Sequence, residues 1–249
     1  MEIITSSQNQ FVKLASSLLD KKGRDESGLF LAEGINLLRD MPDYVEVLYI
    51  FTNKNRQDEC ASIINKHEGA KVFIVEDHIL NKISDTKTPY GIVAVCKQMN
   101  NEFVLPSGNA LLLDNVSDAG NVGTIIRTAA AAGFEDIYLY NSVDVYSPKV
   151  IRSTLGGIFK VRIYNVSLEQ AQSLITKTNS AMLDMSGSNI LDEKLSAPIT
   201  LIMGSEAHGI SKEIKEKVAK TISIPMKNNV ESLNVSVAAA IAMYSVKGV

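Results

Sequence analysis

The sequence predicts an α/β protein with a small N-terminal α/β domain and a C-terminal domain built on a mostly parallel sheet. Short apolar runs alternate with stretches of helical spacing along the 249 residues. The polar segment Gln98–Gly108, which contains Pro106, interrupts this alternation and marks a domain boundary. The hydrophobic fraction of 45% is ample for buried cores. We therefore predict domains at residues 1–98 and 106–249.

The first domain begins with a predicted helix over residues 6–22, because its apolar residues recur at helical spacing. Ser6 or Ser7 would cap its start and Gly23 its end. The later elements are apolar runs bounded by turn residues. They are strands at Leu29–Ala32, Val45–Phe51, Lys71–Val75 and Ile92–Cys96, short helices around Ile35–Leu38, Glu59–Lys66 and Asp77–Ile83, and a turn at Thr88–Gly91.

In the second domain the alternation of strand and helix is more regular. About six strands separated by helices predict a largely parallel sheet that is covered on both faces. The predicted strands are Ala110–Leu113, Ile137–Tyr140, Phe159–Ile163, Ala181–Asp184, Ile199–Met203 and Ile222–Ile224. The predicted helices are Gly120–Ala132, Val150–Leu155, Leu168–Thr178, Ile210–Ala219 and an alanine-rich helix that follows Asn234.

Composition narrows the functional classes. The net charge of −3 argues against nonspecific nucleic-acid binding by the whole surface. One local basic patch is a candidate for binding nucleic acid, and it comprises Lys13, Lys21, Lys22 and Arg24. Such clusters are usually solvated helix faces. No run of 18 uncharged apolar residues predicts a membrane span, and the N-terminus does not resemble a signal peptide.

The cysteines indicate neither a metal site nor a disulfide framework. Cys60 and Cys96 lie far apart and have no metal-ligand spacing. Two cysteines in a chain of this length suit a reducing compartment, where they act as buried hydrophobic residues. We therefore expect a cytoplasmic protein without a metal.

The first of three polar loops that follow strands is Asp114–Gly123. It lacks the glycine spacing of a dinucleotide-binding loop, and the chain has no P-loop motif. Asn121 would cap the following helix if its role were only structural. Arg127 lies among apolar residues on a helix that we expect to be largely buried, where an arginine needs partners. It follows Asn121 by six residues, and we expect both on roughly the same side of the helix.

The second and third loops have a similar composition. In the second, Gly204 and Gly209 flank Glu206 directly after an apolar strand, and glycine permits close backbone approach to a ligand. Glu206 as a helix cap and His208 as a surface residue are the structural alternatives. In the third, residues 224–236, the strand ends at Pro225, and two asparagines that tolerate left-handed backbone angles precede the cap candidates Ser232 and Asn234.

Together the three loops resemble the signature motifs of the SpoU family of RNA 2′-O-ribose methyltransferases, TrmH-like proteins of the SPOUT class. The resemblance covers Leu112–Val246. It rests on three segments: Asn121-x-Gly123-x-Ile125-x-Arg127-Thr128-Ala129, Met203-Gly204-Ser205-Glu206-x-x-Gly209, and Ile224-Pro225-Met226 with Glu231-Ser232-Leu233-Asn234-Val235-Ser236. The first half is similar to the family's substrate-binding domain, through Phe30–Gly34 and Thr88–Val95.

The chain departs from the family pattern in two loops. Ala119 stands where the family usually has proline, and Asn228 and Asn229 stand where glycine is common. Both changes keep the turns feasible, because asparagine adopts positive φ more readily than most residues.

The resemblance implies a deep trefoil knot in the second domain and a homodimer formed through that domain. It implies S-adenosyl-L-methionine as cofactor, RNA as substrate, and ribosomal RNA ahead of transfer RNA. By motif position, it assigns catalysis to Asn121, Arg127, Glu206, Ser232 and Asn234. It assigns cofactor binding, mainly through backbone groups, to Met203, Gly204, Ile224, Met226 and Leu233. Because a guanidinium stays protonated in proteins, Arg127 is expected to act electrostatically or to grip a phosphate, with Glu206 orienting it or the ribose.

Two alternatives remain open from sequence. One is a metabolic α/β enzyme with a nucleotide cofactor, against which the missing nucleotide-binding fingerprints count. The other is a noncatalytic RNA-binding relative of the same fold, against which the presence of all five polar positions counts.

Overall fold

The computed structural model describes residues 1–86, 91–99, 101–228 and 230–246, and it divides into two compact units. The first unit comprises Met1–Met99 and Asp144–Gly156, and the second comprises Asn100–Val143 and Gly157–Val249. The predicted turn at Thr88–Gly91 lies outside the described residues except for Gly91. The chain thus divides after Met99, and the later segment Asp144–Gly156 groups with the first unit. The domains at residues 1–98 and 106–249 stay predictions.

Strands and helices alternate along the described chain. The strands are β1 Glu2–Ile4, β2 Leu29–Glu33, β3 Val47–Asn53, β4 Lys71–Val75, β5 Ile92–Lys97, β6 Asn109–Asp114, β7 Phe134–Tyr140, β8 Arg162–Asn165, β9 Ser180–Asn189, β10 Thr200–Gly204 and β11 Lys220–Ser223. The helices are α1 Gln10–Ser17, α2 Lys21–Ser27, α3 Ile35–Asp40, α4 Gln57–Lys66, α5 Asp77–Lys82, α6 Ala119–Ala131, α7 Pro148–Thr154, α8 Leu168–Lys177, α9 Lys212–Lys215 and α10 Val235–Tyr244. Short 3-10 turns cover Lys54–Arg56 and Gly157–Lys160.

The first unit is organised around a mixed sheet with the strand order β1-β4-β3-β5-β2. β4 pairs in parallel with β1 and β3, whereas β5 pairs antiparallel with β2 and β3. One face of the sheet packs on an apolar core to which α1 and α5 contribute, with Phe51 and Phe73 fully buried within it. β1 was not predicted, because three residues at a sheet edge carry too short a pattern.

The helix predicted over residues 6–22 is two helices, α1 and α2. Asn9 caps α1 by accepting a hydrogen bond from the Phe11 N–H at 2.9 Å, so the predicted serine cap is wrong. Gly23 lies inside α2 and does not end a helix. A Cβ at Gly23 would collide with the Ser17 carbonyl oxygen, so glycine permits the close approach of the two helices. Gly28 ends α2 with φ of 66°.

The basic patch proposed on this segment loses one member. Arg24 is 3% exposed, and it forms an ion pair with Asp144 at 2.7 Å while donating to the carbonyl groups of Leu18 and Leu19. Lys21 and Lys22 are exposed but face Asp25 and Glu26 one turn away. Arg24 is therefore not available at the surface, whereas Lys21 and Lys22 stay exposed beside their acidic neighbours.

The segment Asp144–Gly156 joins the first unit through specific contacts. Asp144 holds Arg24, and the Tyr146 ring lies 5.1 Å from that of Phe30. From α7, Arg152 forms a 2.6 Å ion pair with Asp85 and lies 3.6 Å from the buried carboxylate of Glu33. These partners are distant in sequence, so local patterns could not assign the segment.

The second unit contains the predicted parallel sheet, and its described strands follow the order β11-β9-β10-β6-β7-β8. Each of these strand pairings is parallel. The central strand β6 is almost entirely buried, as expected for a strand covered on both faces. Parallel strands place their carboxyl ends on one edge, so the loops that follow β6, β10 and β11 leave the sheet at the same edge.

Two predicted elements of this unit differ from the structure. Residues 159–163 divide between a 3-10 turn and β8 and do not form one strand. The helix predicted at Ile210–Ala219 shortens to α9, which follows the N-cap residue Ser211. Only Ile214 of that helix is buried, so little apolar packing supports a longer one.

Candidate active site at the carboxyl edge of the second sheet

The first and second polar loops are held together by Asp114, a fully buried residue at the end of β6. Its register partner on β10 is Gly204, which opens the second loop. The Asp114 carboxylate accepts hydrogen bonds from the Ser211 N–H at 2.6 Å and from the Asn115 side chain. A buried carboxylate needs such donors. Asp114 thus fixes where both loops leave the sheet.

Three of the predicted catalytic residues meet in one hydrogen-bonded cluster. The Asn121 side chain donates through Nδ2 to Oε1 of Glu206, and it accepts through Oδ1 from Nδ2 of Asn234 at 2.9 Å. These residues are 85 and 113 positions from Asn121 in sequence. The two bonds fix the orientation of the Asn121 amide. Oε2 of Glu206 has no hydrogen-bond partner among the described residues, so it can accept a donor from a bound molecule.

Each member of the cluster is positioned by its own element. Asp118 caps α6 by accepting from the Asn121 N–H at 2.8 Å, so Asn121 is not the cap. Asn234 caps α10 by accepting from the N–H groups of Ser236 and Val237. Glu206 caps no helix, because Ser211 occupies the N-cap position of α9. Both asparagines therefore lie at helix N-termini, where the helix dipole favours a negative group such as Glu206.

Arg127 is placed differently from the expectation. Its side chain is exposed, and it has no hydrogen bond or ion pair among the described residues. Six helical residues correspond to about 600° of rotation, so Arg127 points roughly 120° away from Asn121 on α6. The expected burial and the shared side were both wrong, and Glu206 bonds to Asn121 instead. Gly157 packs against the backbone beneath Arg127, where an added Cβ would lie 2.9 Å from the Arg127 Cα.

The second loop is a closed turn. Ser205 and Gly209 exchange two backbone hydrogen bonds, at 3.1 and 2.9 Å, and Gly209 adopts φ of 66°. A Cβ at Gly204 would collide with the Gly209 carbonyl carbon. Glycine at 204 is thus required by the approach of this chain's own backbone. The turn leaves Glu206 and His208 exposed at its tip.

The third loop begins where β11 stops pairing. Asn228 has φ of 59°, which confirms the expected left-handed conformation there, and Asn229 lies outside the described residues. Ser232 is exposed and caps no helix, since Asn234 takes that role. The backbone N–H and C=O groups of Ile224 and Leu233 have no hydrogen-bond partner among the described residues, so both are free to bind a ligand or water.

A cavity of about 400 Å³ opens beside this loop. All five residues expected to bind cofactor line it: Met203, Gly204, Ile224, Met226 and Leu233. Glu206 and Ser232 line it as well, whereas Asn121, Arg127 and Asn234 do not. The wall also includes the apolar side chains of Ile222 and Val235. A mostly apolar cavity with a few polar groups is typical of a small-molecule site.

This cavity fits S-adenosylmethionine. Its volume lies within the roughly 300–1,000 Å³ that ligand sites usually occupy. Unpaired backbone groups at Ile224 and Leu233 match the hydrogen-bonding edge of adenine, and the apolar wall matches its faces. The carboxylate of Glu206 at the margin suits a ligand that carries a positive sulfonium.

Sequence reasoning missed one wall of the cavity, formed by residues 183–185 of β9. Asp184 there binds Lys215, and both line the cavity. The hydrogen bond from Lys215 lowers the pKa of Asp184 to about 2, with further help from the Ser186 N–H and hydroxyl groups. The sequence does indicate this wall, through the segment Asp184-Met185-Ser186-Gly187. Like the three loops, this segment combines polar residues with glycine directly after an apolar run.

The described part of the chain contains neither a candidate metal site nor a candidate membrane-spanning helix. Its residues contain no cluster of three or more His, Cys, Asp or Glu side chains arranged to hold a metal ion. None of the described helices is both long and apolar enough to cross a membrane.

Comparison with known proteins identifies both halves of the chain. The SpoU rRNA Methylase family matches residues 108–244, and the MRM3-like substrate binding domain matches residues 9–94. The chain is 30% identical over 256 residues to the 23S rRNA (guanosine(2553)-2′-O)-methyltransferase RlmP of Bacillus subtilis, and the alignment spans all of both chains. It is 28% identical to the 23S rRNA (guanosine-2′-O-)-methyltransferase RlmB of Haemophilus influenzae, over 80% of this chain and 89% of that protein.

A solved structure extends the similarity to the fold. The AdoMet-bound rRNA methyltransferase of Sinorhizobium meliloti superimposes with a TM-score of 0.87 and 28% identity, covering 98% of this chain and 96% of the other. The resemblance inferred from the three loops is thereby confirmed, and the alternative of a nucleotide-dependent metabolic enzyme is excluded. This chain belongs to the SpoU rRNA Methylase family.

Proposed function

We propose that this chain transfers a methyl group from S-adenosylmethionine to a ribose 2′-hydroxyl in ribosomal RNA. The observation that carries the proposal is the Asn121–Glu206–Asn234 cluster, built from three separate loops beside the cavity that contains the five expected cofactor positions. The relatives described above are named as enzymes that methylate 23S rRNA, which supports ribosomal RNA as the substrate class.

In the proposed site the cavity holds the cofactor, which supplies an activated methyl group on its sulfonium. The free backbone groups of Ile224 and Leu233 bind its adenine edge, and Met203, Gly204 and Met226 complete the wall. The chain must then align the ribose hydroxyl with the methyl group and accept its proton. The Oε2 atom of Glu206 is the carboxylate oxygen that lacks a partner, so we assign it the hydroxyl proton. Asn121 and Asn234 keep that carboxylate in place.

Arg127 and Ser232 act on the RNA in this proposal. Arg127 is exposed and unpaired among the described residues, which suits a guanidinium that grips a phosphate of the substrate. Ser232 is exposed at the margin of the cavity and donates its hydroxyl to the reacting nucleotide. Neither residue needs to bond to the cluster to perform these roles.

The two halves have different tasks. We assign RNA recognition to residues 1–98 and methyl transfer to residues 106–249, in agreement with the family matches to each part. Because Arg24 is buried, we restrict the candidate RNA-binding cations of the first helices to Lys13, Lys21 and Lys22. We place the reaction in the cytoplasm.

We also propose a trefoil knot and a homodimer. α10 packs on α6 and on the central strand β10, although β11 before it is at the sheet edge, so the chain returns across the sheet as a knot requires. α10 is apolar on nearly all sides, and it exposes 48% of Val237 and 61% of Tyr244. These residues are seven apart and share one face, and a second copy of the chain would cover it.

Cofactor titration provides the first test. Isothermal titration should detect binding of S-adenosylmethionine and of S-adenosylhomocysteine, but not of NAD at the same concentration. Gly204→Val should abolish the binding, because the side chain collides with the Gly209 backbone and displaces the second loop. Gly108→Val is a matched control, because nothing lies within 4 Å of a Cβ there. An NAD titration curve without an S-adenosylmethionine curve would refute the proposal.

A further inference from the structure

The cavity wall at β9 is an excursion of the strand. In β11, Thr221 pairs with Met182 of β9, but the next residue, Ile222, pairs with Ser188. Residues 183–187 of β9 are therefore unpaired with β11 and lie between two paired stretches. We call residues 183–187 the β9 excursion. Three of its residues line the cavity. It therefore stands beside the three signature loops as a fourth segment of the site.

Specific contacts hold the end of the β9 excursion against β11. A Cβ at Gly187 would lie 2.5 Å from the Ile222 backbone, so glycine allows the chain to return tightly onto β11. The Ser223 hydroxyl donates to the Gly187 carbonyl at 2.8 Å and closes that return. Ile202 of β10 pairs with Met182 of β9. Gly204 and Asp184 each lie two residues further along these strands, so the excursion begins next to the second loop.

Asp184 is the polar group that the excursion presents. Oδ2 accepts from Lys215 Nζ at 2.6 Å, and Oδ1 accepts from the Ser186 N–H at 3.1 Å and the Ser186 hydroxyl at 2.8 Å. An ionised carboxylate has about four acceptor positions. Three are filled within the chain, so roughly one remains for a ligand.

The charge around Asp184 selects the kind of donor. Lys215 neutralises the carboxylate at close range, and both side chains line the cavity. A neutral pair attracts a cationic amine or sulfonium weakly, but its carboxylate still accepts well from a neutral hydroxyl. The vicinal hydroxyl groups of the cofactor's ribose are donors of this type.

We propose that Asp184, positioned by the β9 excursion and Lys215, accepts a hydrogen bond from one ribose hydroxyl of the cofactor. The inference rests on the proposed function, because it assumes that S-adenosylmethionine occupies this cavity. It adds a side-chain contact to a site otherwise assigned mainly to backbone groups. Asp184 is a binding residue in this proposal and takes no part in the transfer step.

The test measures binding of S-adenosylhomocysteine and of its 2′-deoxy and 3′-deoxy analogues by isothermal titration. For the unaltered protein, one of the two analogues should bind about tenfold more weakly than the parent, as expected for loss of a hydrogen bond to a charged group. Asp184→Ala, which removes both acceptor oxygens, should bind the parent about tenfold more weakly and should no longer discriminate against that analogue.

Two variants separate ligand contact from structural support. Lys215→Met retains the carboxylate, so it should still discriminate between the parent and that analogue. Glu193→Gln is the matched control, because Glu193 also accepts from a lysine and a serine, Lys220 and Ser188, but it does not line the cavity. Its affinities should equal those of the unaltered protein.

Several outcomes would overturn the inference. Equal affinity of the unaltered protein for all three ligands would show that no ribose hydroxyl is held, and this requires no variant. Identical loss of discrimination in Asp184→Ala and Lys215→Met would assign the pair a structural role only. Failure of the unaltered protein to bind S-adenosylhomocysteine would instead contradict the proposed function.

Discussion

The residues of the candidate site divide into a bonded group and a free one. Asn121, Glu206 and Asn234 bond to each other, whereas Arg127 has no partner among the described residues. A bonded group is pre-organised for its role, since its geometry does not depend on substrate binding. A free arginine is suited to a partner that arrives with the substrate. Our proposal accordingly has the cluster accept the proton and Arg127 contact a phosphate.

Arg127→Ala should reduce methyl transfer at least a hundredfold, or roughly 3 kcal/mol in the transition-state barrier. Affinity for S-adenosylhomocysteine should not change, because Arg127 does not line the cavity. Transfer is measured with labelled cofactor and RNA, and affinity by titration. The control is Arg162→Ala, which removes another partly exposed arginine that is paired with Asp136 away from the site. Near-normal turnover of Arg127→Ala would remove it from the mechanism.

The sequence grouped three residues that the structure brings together, but it misplaced some of their surroundings. Asn121, Glu206 and Asn234 could be grouped because each follows a strand of a parallel sheet, and such strand ends share one edge. The burial of Arg24 depends on Asp144, which is 120 residues away, so no local pattern indicates it. Arg127 was misplaced because apolar neighbours in sequence do not determine which side of a helix a residue occupies.

At the scale of elements, the caps explain how the loops are held in position. α6 begins at Ala119 behind the Asp118 cap, and α10 begins behind the Asn234 cap. Most strands of the parallel sheet were predictable because each is an apolar run bounded by turn residues; the exception is β8, which was predicted at residues 159–163. The β9 excursion and the short α9 were not, since both depend on packing between strands that are separated in sequence.

Ala119→Pro should stabilise the protein by about 0.4–1 kcal/mol. Ala119 is the first residue of α6, where proline is favoured because its N–H needs no partner within the helix and its φ is already suitable. Urea unfolding monitored by circular dichroism measures the change. Ala129→Pro in the buried middle of the same helix should instead destabilise by about 3 kcal/mol or more. A loss of stability in Ala119→Pro would show that α6 does not begin there.

At the scale of the whole molecule, α10 links the candidate site to the proposed dimer interface. Its N-cap is Asn234, and its exposed face carries Val237 and Tyr244. The helix is composed almost entirely of apolar side chains, so apolar groups lie on its exposed face as well as on its buried one. In a partly exposed helix this distribution indicates a further partner. The family resemblance implies a dimer, and we propose that this exposed face is where the second copy packs.

Tyr244→Glu should convert the dimer to a monomer, because a charge at a buried apolar interface lacks a partner. Size-exclusion chromatography coupled to light scattering gives the mass of the particle in solution, which is compared with the 27.1 kDa of one chain. Tyr44→Glu is the matched control, since Tyr44 is 66% exposed on the other unit. An unaltered protein that elutes as a monomer at micromolar concentration would contradict the assignment.

Methylation of a ribose 2′-hydroxyl through the Asn121–Glu206–Asn234 cluster can be measured directly. The protein is incubated with labelled S-adenosylmethionine and, in separate reactions, with ribosomal RNA and with transfer RNA, and each RNA is then digested with alkali. Methylated riboses resist cleavage, because the 2′-hydroxyl is the attacking group in alkaline hydrolysis. The proposed reaction predicts label in one alkali-resistant dinucleotide, with Glu206→Gln reducing it at least a hundredfold, as expected for loss of a catalytic proton acceptor. Label on a base, label only in transfer RNA, or full activity of Glu206→Gln would contradict it.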